Sequence, residues 1–142
     1  MGGISKSYSL WADDTFHFRG DLSRKSNGGF ASVVSSSIDT PKDIALTKGI
    51  QIRFLSDSRI YKIRFRSLAN SQGVWQQTEI PGSRDLRELK ILWSEFSPHW
   101  RGQFQPDEPR LKPEEITGMS LLTSDGKEGH FRLEIKGFRF LR

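Results

Sequence analysis

Asn27-Gly28-Gly29-Phe30-Ala31-Ser32-Val33 joins a turn to an alternating run, and the fold is read outward from it. Asn and Gly tolerate positive φ, the backbone of tight turns between strands. In the run that follows, Phe30, Ser32 and Val34 share one face, and Ala31, Val33 and Ser35 the other. On turn chemistry alone, the segment predicts a hairpin.

The same pattern recurs along the chain. Residues 15–19 alternate up to Gly20, with Asp13-Asp14 as the turn before them. In 49–55, Ile50, Ile52 and Phe54 share a face. Residues 60–66 alternate best: Tyr61, Ile63 and Phe65 inward, Lys62, Arg64 and Arg66 outward. The short turn Ser56-Asp57-Ser58 predicts that these two runs pair as a hairpin. Residues 74–80 form a strand stopped by Pro81-Gly82. Residues 86–93 fit a helical face through Leu86, Leu89 and Trp93, or a strand face through Leu89, Ile91 and Trp93. The surrounding strands favour the strand.

Four prolines, Pro98, Pro106, Pro109 and Pro113, exclude ladder pairing between Ser97 and Pro113 and predict an irregular loop there. Pro113 opens a helical turn. Residues 118–124 and 130–140 are the closing strands, joined by a glycine-rich hairpin loop at 125–129. Phe131, Leu133 and Ile135 share a face, and Phe138 and Phe140 carry the opposite parity. A β-bulge at Gly137 accounts for the shift. About nine short strands without a strong helix predict an all-β fold, an antiparallel β-sandwich. No linker divides residues 1–142, so one domain with one core is expected.

Hydrophobic residues are 35% of the 142 and aromatics 11%. Ten Phe and four Trp therefore supply much of the buried area, at about 150–250 Å² per ring. The absence of cysteine excludes a disulfide framework, a thiol nucleophile and a thiolate metal site. It fits a reducing compartment. Lys and Arg number 22 against 17 Asp and Glu, a net charge of +5. That balance serves solubility first, and leaves an acidic protein, RNA or anionic lipid as partner classes. No apolar run approaches the ~20 residues of a membrane-spanning helix. The start carries no targeting signal, and Lys6 stands where a myristoylation motif needs Ser or Thr.

Catalytic chemistry finds no constellation. His17, His99 and His130 are scattered, so no metal ligand spacing arises. Asp57, Asp107, Glu108 and Asp125 are loop acids that form no calcium ligand series. No nucleophile elbow, P-loop or dinucleotide fingerprint occurs, so no catalytic residue, metal or cofactor is expected. Binding has two candidates. Lys62, Arg64 and Arg66 form a basic row, which Arg132 and Lys136 would widen if their strands were neighbours. The row is either a partner surface or a solvated face whose charge prevents edge pairing. Pro98-His99-Trp100-Arg101-Gly102 is either a recognition loop built on His99, Trp100 and Arg101, or a Trp plug closing the sandwich.

Four segments carry a resemblance. They are Met1-Gly2-Gly3-Ile4-Ser5; Phe18-Arg19-Gly20-Asp21-Leu22-Ser23 with Asn27 to Val33; Phe96-Ser97-Pro98-His99-Trp100-Arg101-Gly102; and Leu121 to Asp125 with Gly129 to Ile135. Together, in this order, they resemble the complex I intermediate-associated protein family of thirty-kilodalton assembly factors. The resemblance implies a galactose-binding-like jelly roll without catalytic residues. It implies protein subunits of a membrane complex, in assembly intermediates, as partners. It also implies a mitochondrial location in a eukaryote and a cytoplasmic one in a bacterium. Family domains usually carry a strand before the Met-Gly-Gly element, so the resemblance implies either a bacterial member or a chain shortened by an N-terminal strand. Jelly rolls of this kind often bind sugars. A carbohydrate is therefore the second partner reading, with Trp75, Trp93 and Trp100 as stacking residues, although Trp75 and Trp93 fall in strands and read as core. RNA is the third, through Lys62, Arg64 and Arg66, and is disfavoured because no exposed aromatic interleaves the row.

Overall fold

Alternation at period two builds two antiparallel sheets. The computed structural model describes residues 6–12, 15–23, 31–35, 40–124 and 127–142. Among these lie eleven strands: β1 (Lys6–Ala12), β2 (Thr15–Leu22), β3 (Ala31–Ser35), β4 (Gly49–Ser56), β5 (Tyr61–Ser67), β6 (Val74–Ile80), β7 (Arg87–Leu92), β8 (Ser97–Trp100), β9 (Gln103–Phe104), β10 (Ile116–Thr123) and β11 (Gly129–Leu141). One sheet has the order β1-β2-β11-β4-β7 and the other β3-β10-β5-β6-β8-β9. Chain neighbours repeatedly fall in different sheets, which makes the sandwich a jelly roll.

The core is where the inner parities meet. Ile50, Ile52, Phe54, Phe18, Phe131 and Leu133 come from the five-stranded sheet. Tyr61, Ile63, Phe65, Ile80 and Leu121 face them from the other. Trp93 bridges the layers, 5.7 Å from Phe65 and 6.2 Å from Phe140, ring centre to ring centre. Its indole N–H donates to the Thr47 hydroxyl at 3.0 Å, as a buried Trp requires. The bulge stands where parity predicts it. Ile135 pairs with Phe54 and Gly137 with Arg53, so the parity shifts and Phe140 packs against the core, while Phe138 stays exposed.

Several expectations are corrected. β4 and β5 do not form a hairpin: β4 lies between β11 and β7, and β5 between β10 and β6. The chain leaves the first sheet at Ser56, whose N–H donates to Ser83, while Asp57 N–H donates to Arg132. These donors are occupied and cannot continue a β4–β5 ladder. β2 and β3 also lie in different sheets, as do β10 and β11, so neither pair is a hairpin. The turns at Asp13-Asp14, Asn27-Gly28-Gly29 and Asp125-Gly126 and the Met-Gly-Gly element fall outside the described residues.

The proline-bounded stretch is partly ladder: β8 pairs with β6, and Pro98 sits opposite Gln76. The Pro98 carbonyl accepts from Gln105 N–H, so its amide edge faces away from β6 and no β6 bond needs the missing donor. Trp93 opens a 3-10 turn, Trp93–Glu95, and does not continue a strand. Pro113–Glu115 is the expected turn with proline at its start, and Ile44–Leu46 is another.

Candidate binding face

Both sequence candidates lie on the six-stranded sheet. Tyr61, Ile63 and Phe65 point inward, so Lys62, Arg64 and Arg66 project from the outer face of β5. Phe65 pairs with Gln76, which brings Trp75 beside Arg66 on that face. Trp75 pairs with His99 on β8, and His99 with Phe104 on β9. The outcome is a row across four strands: Arg66, Trp75, His99, Phe104. The last two rings stand 5.9 Å apart.

Trp75 is 8% exposed, yet it is not part of the inter-sheet core. The Arg64 and Arg66 guanidiniums lie over its ring, 4.4 and 4.3 Å from the centroid. This corrects the core reading of Trp75: cations cover it on the outside. Its parity with Gln77 and Glu79 was the sequence signal for an outward side chain. Arg64 donates from Nη2 to the Ser120 hydroxyl at 2.8 Å, while its buried Nε has no partner. Burial, and then the charge of Arg66, pull the Arg64 guanidinium down to about 10. Among the described residues no carboxylate forms an ion pair with Lys62, Arg64 or Arg66, although Glu79 stands opposite Lys62 in register. Arg132 and Lys136 do not widen the row, because β11 belongs to the other sheet. There they cluster around Glu134, at 3.3 and 4.0 Å.

Arg101 and Gly102 form the two-residue link between β8 and β9, since Trp100 pairs with Gln103. Both have positive φ, 47° and 82°, as a twist-matched hairpin turn demands. Glycine takes this backbone freely; for Arg101 it is strained. The loop expected here is thus a tight hairpin. Trp100 is 42% exposed and lies outside the core, with the Arg101 guanidinium 4.7 Å over its ring. It is not a plug. Phe104, 52% exposed, was missed because prolines masked β9. His99 Nδ1 lies 2.9 Å from the Ser97 carbonyl. A carbonyl only accepts, so Nδ1 carries a proton and Nε2 of the neutral ring is left as acceptor. Lys62, Gln77, Glu79, Glu95, Ser97 and His99 line an adjoining polar groove of about 380 Å³.

Two of the loop acids are engaged elsewhere, and Asp125 lies outside the described residues. Asp57 accepts from Tyr61, Arg59 and Arg132. Glu108 accepts from Ser71 and Asn70, which holds its carboxyl below the usual range, the Ser71 backbone N–H contributing most. His17 and His130 lie on the five-stranded sheet, near Glu134 and Asp21, far in topology from His99.

A family model, Complex I intermediate-associated protein 30 (CIA30), matches residues 1–135. The chain belongs to the CIA30 family. A comparison with curated proteins returned no match. Among solved structures, the CIA30 domain is similar to a family 11 carbohydrate-binding module from Clostridium thermocellum in complex with a β-1,3-1,4-mixed-linked tetrasaccharide. The TM-score is 0.61 and the identity 15%, over 96% of this chain and 86% of that one. The family 11 module of the cellulosomal cellulase Lic26A-Cel5E of the same organism gives 0.61 and 14%, over 96% and 85%. An agarase, AgWH50C, gives 0.67 and 12%, over 99% of this chain but 22% of that one. At such identities these likenesses show the fold alone, a jelly-roll β-sandwich.

Proposed function

We propose that this CIA30 domain is a non-catalytic binding module that assists assembly of a membrane complex of the respiratory complex I type. Its partners are protein subunits in assembly intermediates. The location is mitochondrial in a eukaryote and cytoplasmic in a bacterium. Beyond family membership, one observation supports the reading: the basic row and the Trp100 hairpin share one sheet, joined through Trp75, His99 and Phe104. Exposed aromatics beside arginines are the composition of protein-binding hot spots. Capture of partners by a tagged domain under mild detergent tests the reading. Subunits of a respiratory or photosynthetic membrane complex are expected, and their absence overturns it.

A second reading, carbohydrate binding, rests on the polar groove beside exposed Phe104. Against it, Trp75 is covered by two guanidiniums and Trp93 is core, which leaves of the three indoles Trp100, itself under the Arg101 guanidinium, to stack on a sugar. Saturable quenching of tryptophan fluorescence by an oligosaccharide would favour it.

A further inference from the structure

We propose that Arg64 and Arg66, stacked over Trp75, form a carboxylate-binding site that takes an acidic segment of the protein partner. The inference rests on the binding-module reading above and names the chemistry that the face recognises.

Two guanidiniums share one indole ring, at 4.4 and 4.3 Å, so like charges are held close together. Such pairs ordinarily recruit a carboxylate, because planar guanidinium forks match it with two parallel hydrogen bonds. No described carboxylate occupies that role, although Glu134 gathers Arg132 and Lys136 on the opposite sheet. The Arg64 Nε–H is buried without an acceptor. That atom is out of reach of an arriving carboxylate, which meets instead the exposed guanidinium of Arg66 beside the Arg64 charge. Contact with the indole shields part of each guanidinium from water and strengthens the attraction.

The surroundings favour a protein segment over a polyanion. Glu79 and Glu95 line the groove that Lys62 shares. They would repel a run of phosphates in RNA or a sheet of anionic headgroups. A peptide with one or two carboxylates at the arginines and a neutral or basic residue at these glutamates meets both signs. Trp75 is also closed to base stacking, since the guanidiniums cover it.

The test titrates the whole domain with a capped Glu-Glu-Gly-Lys peptide and follows the arginine Nε–H and indole N–H signals by NMR. Saturable shifts of Arg64, Arg66 and Trp75 are expected. The Arg64→Met/Arg66→Met variant keeps an apolar cover over Trp75. It should bind at least tenfold more weakly, since each charge-assisted hydrogen bond lost costs about tenfold or more. If it melts early, Arg66→Met alone serves, because Arg66 is exposed. Silent arginines overturn the proposal. So does an equal or stronger response to single-stranded RNA, inorganic phosphate or phosphatidylglycerol vesicles. Partner capture separates the two levels. A captured membrane subunit that the folded double variant retains in full sinks the carboxylate site alone; peptide binding without any captured subunit sinks the assembly reading alone.

Discussion

Tyr61 donates its phenolic proton to Asp57, with the carboxylate oxygens at 3.0 and 3.1 Å. The same phenolic oxygen accepts the Arg132 backbone N–H at 2.9 Å. Tyr61 begins β5 and Arg132 lies in β11, so the contact bolts the two sheets together. Burial, and then the Asp57 charge, push the phenol above its ordinary pKa. A raised folded pKa gives stability that is complete below the unfolded value, about 10, and is lost as pH climbs beyond it. Tyr61→Phe should cost about 1–3 kcal/mol near neutral pH and flatten the alkaline fall in stability. Denaturant melts of both proteins from pH 7 upward measure both effects.

Arg59 closes the same end of the sandwich. Its guanidinium donates to the carbonyls of His130, Lys127 and Glu128 at 3.1, 2.7 and 3.2 Å. Gly82 packs under this turn, where a Cβ would come within 2.5 Å of the Asp57 carbonyl. Arg59→Met leaves these acceptors and Asp57 without their cation. A loss of about 2–4 kcal/mol is expected in thermal or denaturant melts. A loss below 1 kcal/mol would show that water replaces the clasp.

Trp93 and Trp100 should part company under truncation. Trp93 is 8% exposed and packs on Phe65, Phe96 and Phe140. Trp93→Ala should therefore cost about 3–5 kcal/mol. Trp100→Ala removes an exposed ring that is not in the core and should stay within about 1 kcal/mol of wild type. Paired thermal melts decide it; a large Trp100 penalty would restore the plug.

Glu108 predicts an acid limb. Its depressed carboxyl gives stability that is present above the ordinary glutamate pKa and lost as pH falls through the lower folded value. Glu108→Gln should lower stability at pH 7 and show a shallower decline from about pH 4.5 downward. Denaturant midpoints across that range report the slope.

The strand faces were legible in the sequence and the strand neighbours were not. Period two assigned Tyr61, Ile63 and Phe65 to the core and placed the bulge at Gly137, because alternation reports which side is buried. It does not say which strand lies alongside. A polar turn such as Ser56-Asp57-Ser58 reads alike whether the chain folds back in one sheet or crosses to the other. Prolines hid β8, since sequence does not reveal that the Pro98 amide edge faces away from β6. The basic row and the His99-Trp100-Arg101 segment were visible as separate signals, the latter as a loop and not as a hairpin. Their meeting through Trp75 and Phe104 depends on cross-strand register, which is a long-range property.

The most direct test of a binding face on the six-stranded sheet is partner capture with Trp100→Ala/Phe104→Ala, a variant that leaves the core intact. Tagged wild-type and variant domains, matched by thermal melt, are taken through the same mild-detergent membrane extract. The account predicts that a membrane-complex subunit co-purifies with wild type and that the variant retains about a tenth or less of it. Full retention by a folded variant would contradict it.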